Sequence, residues 1–320
     1  MRHIVACLDG SDLAERVLPH AYAAASALGA PLTLLRVLDH AHGDQSPTDP
    51  MEWEIQRKEA CQYLDRLAAE NAGHEALVET DVIEGKAAEE ICRWSGHHSV
   101  DLTIICTHGA GGCSPWAVAS TARKLLDRAP GSLLLVPASS DIVRGPAHYR
   151  RVLMPLDGSA RAESVFPIAT QIATAHGAEL LVAHVVPFPE LTEFGPLDAD
   201  DFELRDRLLR RNERAAHEYL DRLRVRLAEN EVALRMLLIQ GGDIASRLAR
   251  VAVDEHVDLI VLSAHGRSAR MNTPCGSVTA DLISCSSIPL LIIRPRLSRV
   301  LRQVTAFETR TARLPHLATP

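Results

Sequence analysis

Short runs of Val, Ile and Leu alternate along this chain with longer stretches in which apolar residues recur every three or four positions. Runs of the first kind suit strands buried on both faces of a parallel sheet. Stretches of the second kind suit helices that lay one apolar stripe against it. In the first half the pattern predicts strands near 3–8, 32–37, 77–82, 102–106 and 132–136, with helices near 12–28, 51–72, 87–97 and 116–128. The second half repeats the order, with strands near 151–156, 179–185, 232–239, 258–263 and 289–293 and helices near 161–176, 200–229, 243–256 and 277–286. Such alternation implies the α/β class, with five parallel strands per half in an open, doubly wound sheet.

The halves share words as well as rhythm. Leu8-Asp9-Gly10-Ser11 returns as Leu156-Asp157-Gly158-Ser159, the stretch from Ala30 to Val37 aligns with Ala178 to Val185, and Asp101 to Gly109 aligns with Asp258 to Gly266. This is a tandem duplication. The segment from Ala138 to His148, with Ser139, Ser140, Asp141, Gly145 and Pro146, carries the turn signals of a linker. The expected division is a domain over 1–140, a linker over 141–148, a second domain over 149–296 and a tail over 297–320. Strands 132–136 and 289–293 are apolar sheet-edge candidates, and an exposed apolar edge needs a partner, so each is expected to cover the other in a pseudo-symmetric pair.

Composition fits this picture and removes several functions. A chain of 320 residues suits two domains, and with 47% hydrophobic but only 4% aromatic residues their cores must be aliphatic. Thirty-four Lys and Arg against 41 Asp and Glu leave a net charge of −7, which offers no global field to a nucleic acid. The longest uncharged stretch, Leu102 to Ala122, is broken by Gly109, Gly111, Gly112 and Pro115, so no membrane span is expected there. Asp9 interrupts the N-terminal apolar run too early for a secretory leader. Seven cysteines, odd in number and scattered, suit reduced thiols. The expectation is a cytoplasmic protein with neither nucleic-acid nor membrane partners.

In open parallel sheets ligands sit beyond the carboxyl ends of the strands, at the point where strand order reverses. In the second half that region holds Asp157 and the loop Ser263-Ala264-His265-Gly266, followed by nine residues and then Gly276-Ser277 at a helix start. Glycine lets backbone amides approach an anion closely, and a helix N-terminus presents unpaired N–H groups and the positive end of a dipole. Arg267 and Arg270 can add charge-assisted hydrogen bonds. A phosphate chain fits such a loop.

These residues resemble the universal stress protein family in its tandem form, over nearly all of residues 1–296. Its nucleotide-binding members carry Gly-x-x-Gly, nine residues, then Gly-Ser/Thr. The second half matches at Gly266, Gly276 and Ser277, with Ser263 standing at the first glycine. The resemblance implies two adenine nucleotide alpha hydrolase-like, Rossmann-like domains packed as a pseudo-dimer. It also implies ATP with Mg²⁺ as ligand: Asp157 and the backbone of Val185 would hold ribose and adenine, and Gly266, Arg267, Gly276, Ser277 and Val278 would surround the phosphates. A regulatory, stress-response role with a protein partner or a homodimer follows from the same resemblance. The first half departs further, with Cys106, Gly109, Ala119 and Ser120 at the motif positions and no Lys or Arg between Asp101 and Arg123. If each charge-assisted bond contributes roughly 1.5–3 kcal/mol, losing two Arg partners moves a micromolar site out of detection.

Plainer readings stand beside these. Asp before Gly-Ser also makes an Asx turn or a helix cap. His108 and His265 could act as a base, but a loop-orienting hydrogen bond is the favoured role, and no catalysis is assigned to them. Cys92, His97, His98, Cys106, His108 and Cys113 invite zinc, yet no Cys-x₂-Cys pair occurs and no metal is assigned. Gly241-Gly242-Asp243 reads as a turn and N-cap, and Asp198 to Arg226 as a solvated amphipathic helix. Three functions stay open: a nucleotide-binding regulatory module, a slow ATP-hydrolysing enzyme, and an interaction module that has lost its nucleotide. For the enzyme there is no Gly-x₄-Gly-Lys-Ser/Thr loop, no Gly-x-Ser-x-Gly elbow and no His-Glu-x-x-His. The tail, with apolar Leu297, Val300, Leu301 and Val304, either docks or frays.

Overall fold

Five consecutive apolar residues, Ile4–Leu8, form the first strand (β1) and are buried at every position. The computed structural model describes residues 1, 3–39, 50–70, 77–109, 120–139, 145–189, 199–228, 232–267 and 273–294. After β1 the first half runs α1 (Asp12–Glu15), α2 (Val17–Leu28), β2 (Leu32–Leu38), α3 (Pro50–Glu70), β3 (Val78–Glu84), α4 (Ala87–His97), β4 (Leu102–Cys106), α5 (Ser120–Arg128) and β5 (Ser132–Val136). The second half repeats it as β6 (Arg151–Pro155), α6 (Ala160–Glu163), α7 (Phe166–His176), β7 (Glu179–Val186), α8 (Ala199–Leu227), β8 (Leu234–Gln240), α9 (Ile244–Asp254), β9 (Leu259–Ser263), α10 (Ser277–Cys285) and β10 (Leu290–Ile293).

Each strand falls within two residues of its expected bounds, including β3, Val-Glu-Thr-Asp-Val-Ile-Glu, a sheet-edge strand with no buried position. The first helix of each half differs: the sequence pattern reads one helix over 12–28 and one over 161–176, whereas the chain makes a four-residue turn and then restarts. Pro19 and Pro167 explain this. Each lies in the first turn of the longer segment, where a missing N–H costs nothing but an ongoing helix would have needed it. The short turns have their own caps, since the Ser11 and Ser159 hydroxyls accept from the Ala14 and Ala162 amides at 3.2 Å.

All ten strands form one sheet in the order β3-β2-β1-β4-β5-β10-β9-β6-β7-β8. Every pairing is parallel except the central one, where β10 runs antiparallel to β5 with Leu290, Leu291 and Ile292 opposite Leu135, Leu134 and Leu133. The two apolar edges thus close each other, as the edge argument requires. The antiparallel seam also sends the strand ends of the two halves, and their crevices, in opposite directions. Alternate residues of each strand feed two aliphatic cores: one lies under α2, α3, α7 and α8, the other under α4, α5, α9 and α10, and both run across the seam.

The halves meet on one face where α2 packs against α7. There the Ala147 amide donates to Pro19 O at 2.8 Å, and buried Tyr149 shares a 2.9 Å hydrogen bond with His20 and meets the His176 ring edge-on at 4.8 Å. On the other face Arg294 reaches across the seam. Its guanidinium donates to Leu126 O and Ala129 O at the end of α5, and to Pro274 O ahead of α10. No helix among the described residues is long and apolar enough to cross a membrane.

Candidate functional site

The order of strands reverses between β6 and its neighbours β7 and β9, and the chain leaving β6 is Leu156-Asp157-Gly158-Ser159. Asp157 Oδ1 accepts from the Ser159 amide at 2.9 Å, so the Asx-turn reading of this Asp is correct as far as it goes. The other oxygen, Oδ2, accepts from the Arg267 amide, which ties the β6 turn to the loop after β9. Burial pushes the Asp157 carboxyl up, but the hydrogen bonds from Ser159 and the Arg267 amide outweigh it and hold the pKa below the usual value. Asp157 is therefore a carboxylate with two amides on it.

That contact dictates a glycine. A Cβ on Gly266 would stand 2.2 Å from Asp157 Oδ2, and one on Gly109 would stand 2.1 Å from Asp9 Oδ2 in the first half. Gly158 has φ of +79° and carries the Arg267 guanidinium against it, with Arg267 also donating to Asp157 O at 2.7 Å. Gly276 is different. Its φ of −70° and ψ of 163° suit any residue, and a Cβ there would meet only ordinary contacts, the nearest at 3.7 Å to Ala264 O. Gly276 is the N-cap of α10, and among the described residues no side chain caps that end, where the first amides of the helix carry the positive end of its dipole.

The seven residues singled out in the sequence come together. Asp157, Val185, Gly266, Arg267, Gly276, Ser277 and Val278 all line one cavity of about 1040 Å³. Arg270 lies outside the described residues. His265 Nε2 bonds to Thr273 O at 2.8 Å, the loop-orienting role.

Among the lining residues that the sequence reading did not single out are His184 and Tyr219. His184 Nδ1 bonds to Leu156 O at 2.8 Å and its ring meets Tyr219 edge-on at 5.7 Å. Burial lowers the His184 pKa, with the Leu156 carbonyl partly opposing. The signal for Tyr219 was present: Tyr219-Leu220-Asp221-Arg222-Leu223 on α8 copies Tyr63-Leu64-Asp65-Arg66-Leu67 on α3.

In the first half Asp9 Oδ1 accepts from the Ser11 amide at 3.0 Å and the Ser11 hydroxyl at 2.6 Å. Ser120 opens α5 as described, whereas Ala110, Cys113 and Ala119 lie outside the described residues. Among the described residues no group of three or more His, Cys, Asp or Glu is placed to hold a metal ion. His98 instead stacks on Trp94 at 4.0 Å, and Trp94 donates to Asp81 at 2.7 Å.

Comparison with known proteins places this geometry. The model of the universal stress protein family matches twice, over residues 1–137 and 148–294. A universal stress protein of Mycolicibacterium smegmatis is 24% identical over 303 residues, covering 92% of this chain and 97% of its own. One of Thermus aquaticus is 31% identical over 147 residues, 46% of this chain and 99% of the relative. The crystal structure of a universal stress protein from Archaeoglobus fulgidus superposes with a TM-score of 0.65 at 15% identity, covering 91% of this chain and 98% of that one, a likeness of fold.

Proposed function

The chain belongs to the universal stress protein family, and from that premise we propose that its second half binds one adenine nucleotide, ATP with Mg²⁺, and works as a nucleotide-bound regulatory module of the cytoplasmic stress response. The observation that carries the reading is the convergence of the seven candidate residues, motif positions and strand ends alike, on one cavity. Its chemistry suits the ligand. The bare N-terminus of α10 and the Arg267 guanidinium supply donors to phosphate oxygens, while Asp157 and the Val185 strand end supply acceptors for the nucleoside. Both Asp157 oxygens already accept amide hydrogens, so Mg²⁺ would be carried chiefly by phosphate oxygens and water.

Among the described residues, two candidate bases of the cavity, His265 and Asp157, are already engaged. His265 is committed to the Thr273 carbonyl, and Asp157 is held ionised by hydrogen bonds that would have to break before it took a proton. The proposal is therefore a binding module with slow or no turnover. Isothermal titration of the full chain with ATP and Mg²⁺ tests it, with one site per chain expected. No binding would leave a nucleotide-independent interaction module. Rapid multiple turnover would make the protein an enzyme.

A further inference from the structure

The two crevices are built from the same parts at the same repeat positions: Asp9 and Asp157, Gly10 and Gly158, Glu15 and Glu163, Gly109 and Gly266, Tyr63 and Tyr219. They differ on the floor. Where the second half has His184 on β7, the first half has Arg36 on β2, in register with Leu8 of β1. His184 is short and turns down to the Leu156 carbonyl, which leaves the space above it open as part of the cavity. Arg36 does the opposite.

Its guanidinium lies 5.2 Å over the Tyr63 ring and so close to Gly10 that a Cβ there would stand 2.9 Å from Nη2. Because the Arg36 Cα is fixed in β2, the stem must cross the crevice floor to reach both places. Arg66 adds a second guanidinium 5.7 Å from the same ring, and burial, then Glu15, with Arg36 partly opposing, pushes the Tyr63 hydroxyl well above its usual pKa. In each half, then, a guanidinium rests on the glycine after the strand-end Asp. In the second half it belongs to Arg267, on the ligand loop itself. In the first it rises from the sheet, through the place a nucleoside would need.

We infer that Arg36 is a built-in occupant that closes the nucleoside end of the first crevice, so that the one-site character of the chain is enforced from the sheet floor as well as by the altered loop. This rests on reading the second crevice as a nucleotide site. It gives a share of the selectivity between halves to one pair of positions, 36 and 184, that the loop motif does not contain.

The test is photoaffinity labelling of the full chain with an azido-substituted ATP and Mg²⁺, with unlabelled ATP as competitor and labelled peptides mapped by mass spectrometry. The wild-type chain is expected to label in the second half only. In a chain whose loop is restored by Ala110→Arg and Ala119→Gly, adding Arg36→His is expected to raise competable first-half label by at least tenfold over the loop changes alone, and Arg36→Gln serves if the His variant does not fold. His184→Arg, with an unchanged circular dichroism spectrum, is expected to lose the second-half label. First-half label in the wild type, no first-half gain in either Arg36 variant, or persistent second-half label in His184→Arg would each overturn the inference. Absent second-half label in the wild type overturns the nucleotide reading instead, and the Arg36 variants still decide the role of Arg36 by their first-half label.

Discussion

Gly266→Ala and Gly109→Ala are the sharpest pair of perturbations the structure offers. Neither glycine has a positive φ, so an added methyl group is not resisted by the backbone, and the substitution on its own would stabilise by about 0.4–1 kcal/mol through the unfolded chain. The cost lies across the turn. A methyl group 2.2 Å from Asp157 Oδ2, or 2.1 Å from Asp9 Oδ2, is more than an ångström inside normal contact, and the carboxylate must move. In the second half that breaks the bond from the Arg267 amide and strains the one from Ser159. Hydrogen bonds to charged groups contribute roughly 1.5–3 kcal/mol each, and partial exposure argues for the lower end, so the loss is about 3 kcal/mol and the net destabilisation about 2 kcal/mol. Chemical denaturation of the two variants should show comparable losses, because the carboxylate contact is the same in both halves. Nucleotide titration should separate them: Gly266→Ala moves Asp157 and the Arg267 backbone and should weaken ATP at least tenfold, about 1.4 kcal/mol, while Gly109→Ala should leave affinity unchanged. A Gly266→Ala chain as stable as wild type, or a Gly109→Ala chain with impaired binding, would refute the reasoning.

Asp157→Ala should cost roughly 1–3 kcal/mol of nucleotide affinity in calorimetry, and Asp9→Ala should cost none. Gly276→Val should fold normally, since its backbone is extended, yet abolish binding by filling the space before α10; a folded variant that binds as wild type would show that the phosphates lie elsewhere. Burial holds the His20 pKa down at about 4 against the usual 6.5, so as pH falls the unfolded chain takes a proton that the folded one refuses. Stability should accordingly decline from pH 6.5 toward pH 4 by up to about 3 kcal/mol, and His20→Gln should flatten that decline in denaturation curves taken at pH 7.5, 5.5 and 4.5.

The central strands were legible because short apolar runs admit few other placements, the edge strands β3 and β8 because the repeat order calls for them, and the repeated Leu-Asp-Gly-Ser tetrapeptide made the duplication legible. Pro19 and Pro167 could have given the helix breaks, had they been weighed against the apolar periodicity that runs through them. The seven cavity residues were reachable because the motif puts most of them on two loops and a helix start. Gly276 was reached for an incomplete reason, as its backbone needs no glycine. What stayed hidden are contacts set by the fold alone: the Asp157 carboxylate against Gly266, Arg36 across Gly10, and Arg294 against carbonyls of α5 some 165 residues earlier. No local pattern encodes them, since each joins side chains whose only common address is the sheet.

Arg294 also bears on what can be cut away. Its repeat counterpart in the first half is Pro137, so at this repeat position the second half extends a cation to the first and the first extends none back. Burial lowers the Arg294 pKa, and carbonyls of the neighbouring half answer its hydrogens. A second half expressed alone would keep the nucleotide motif but lose those acceptors, and with them the cover over Leu290, Leu291 and Ile292. Truncation to the second half would therefore leave an apolar sheet edge and a buried cation uncovered. The first half thus helps to support the residues ahead of Gly276, since the guanidinium anchored on its carbonyls also donates to Pro274 O.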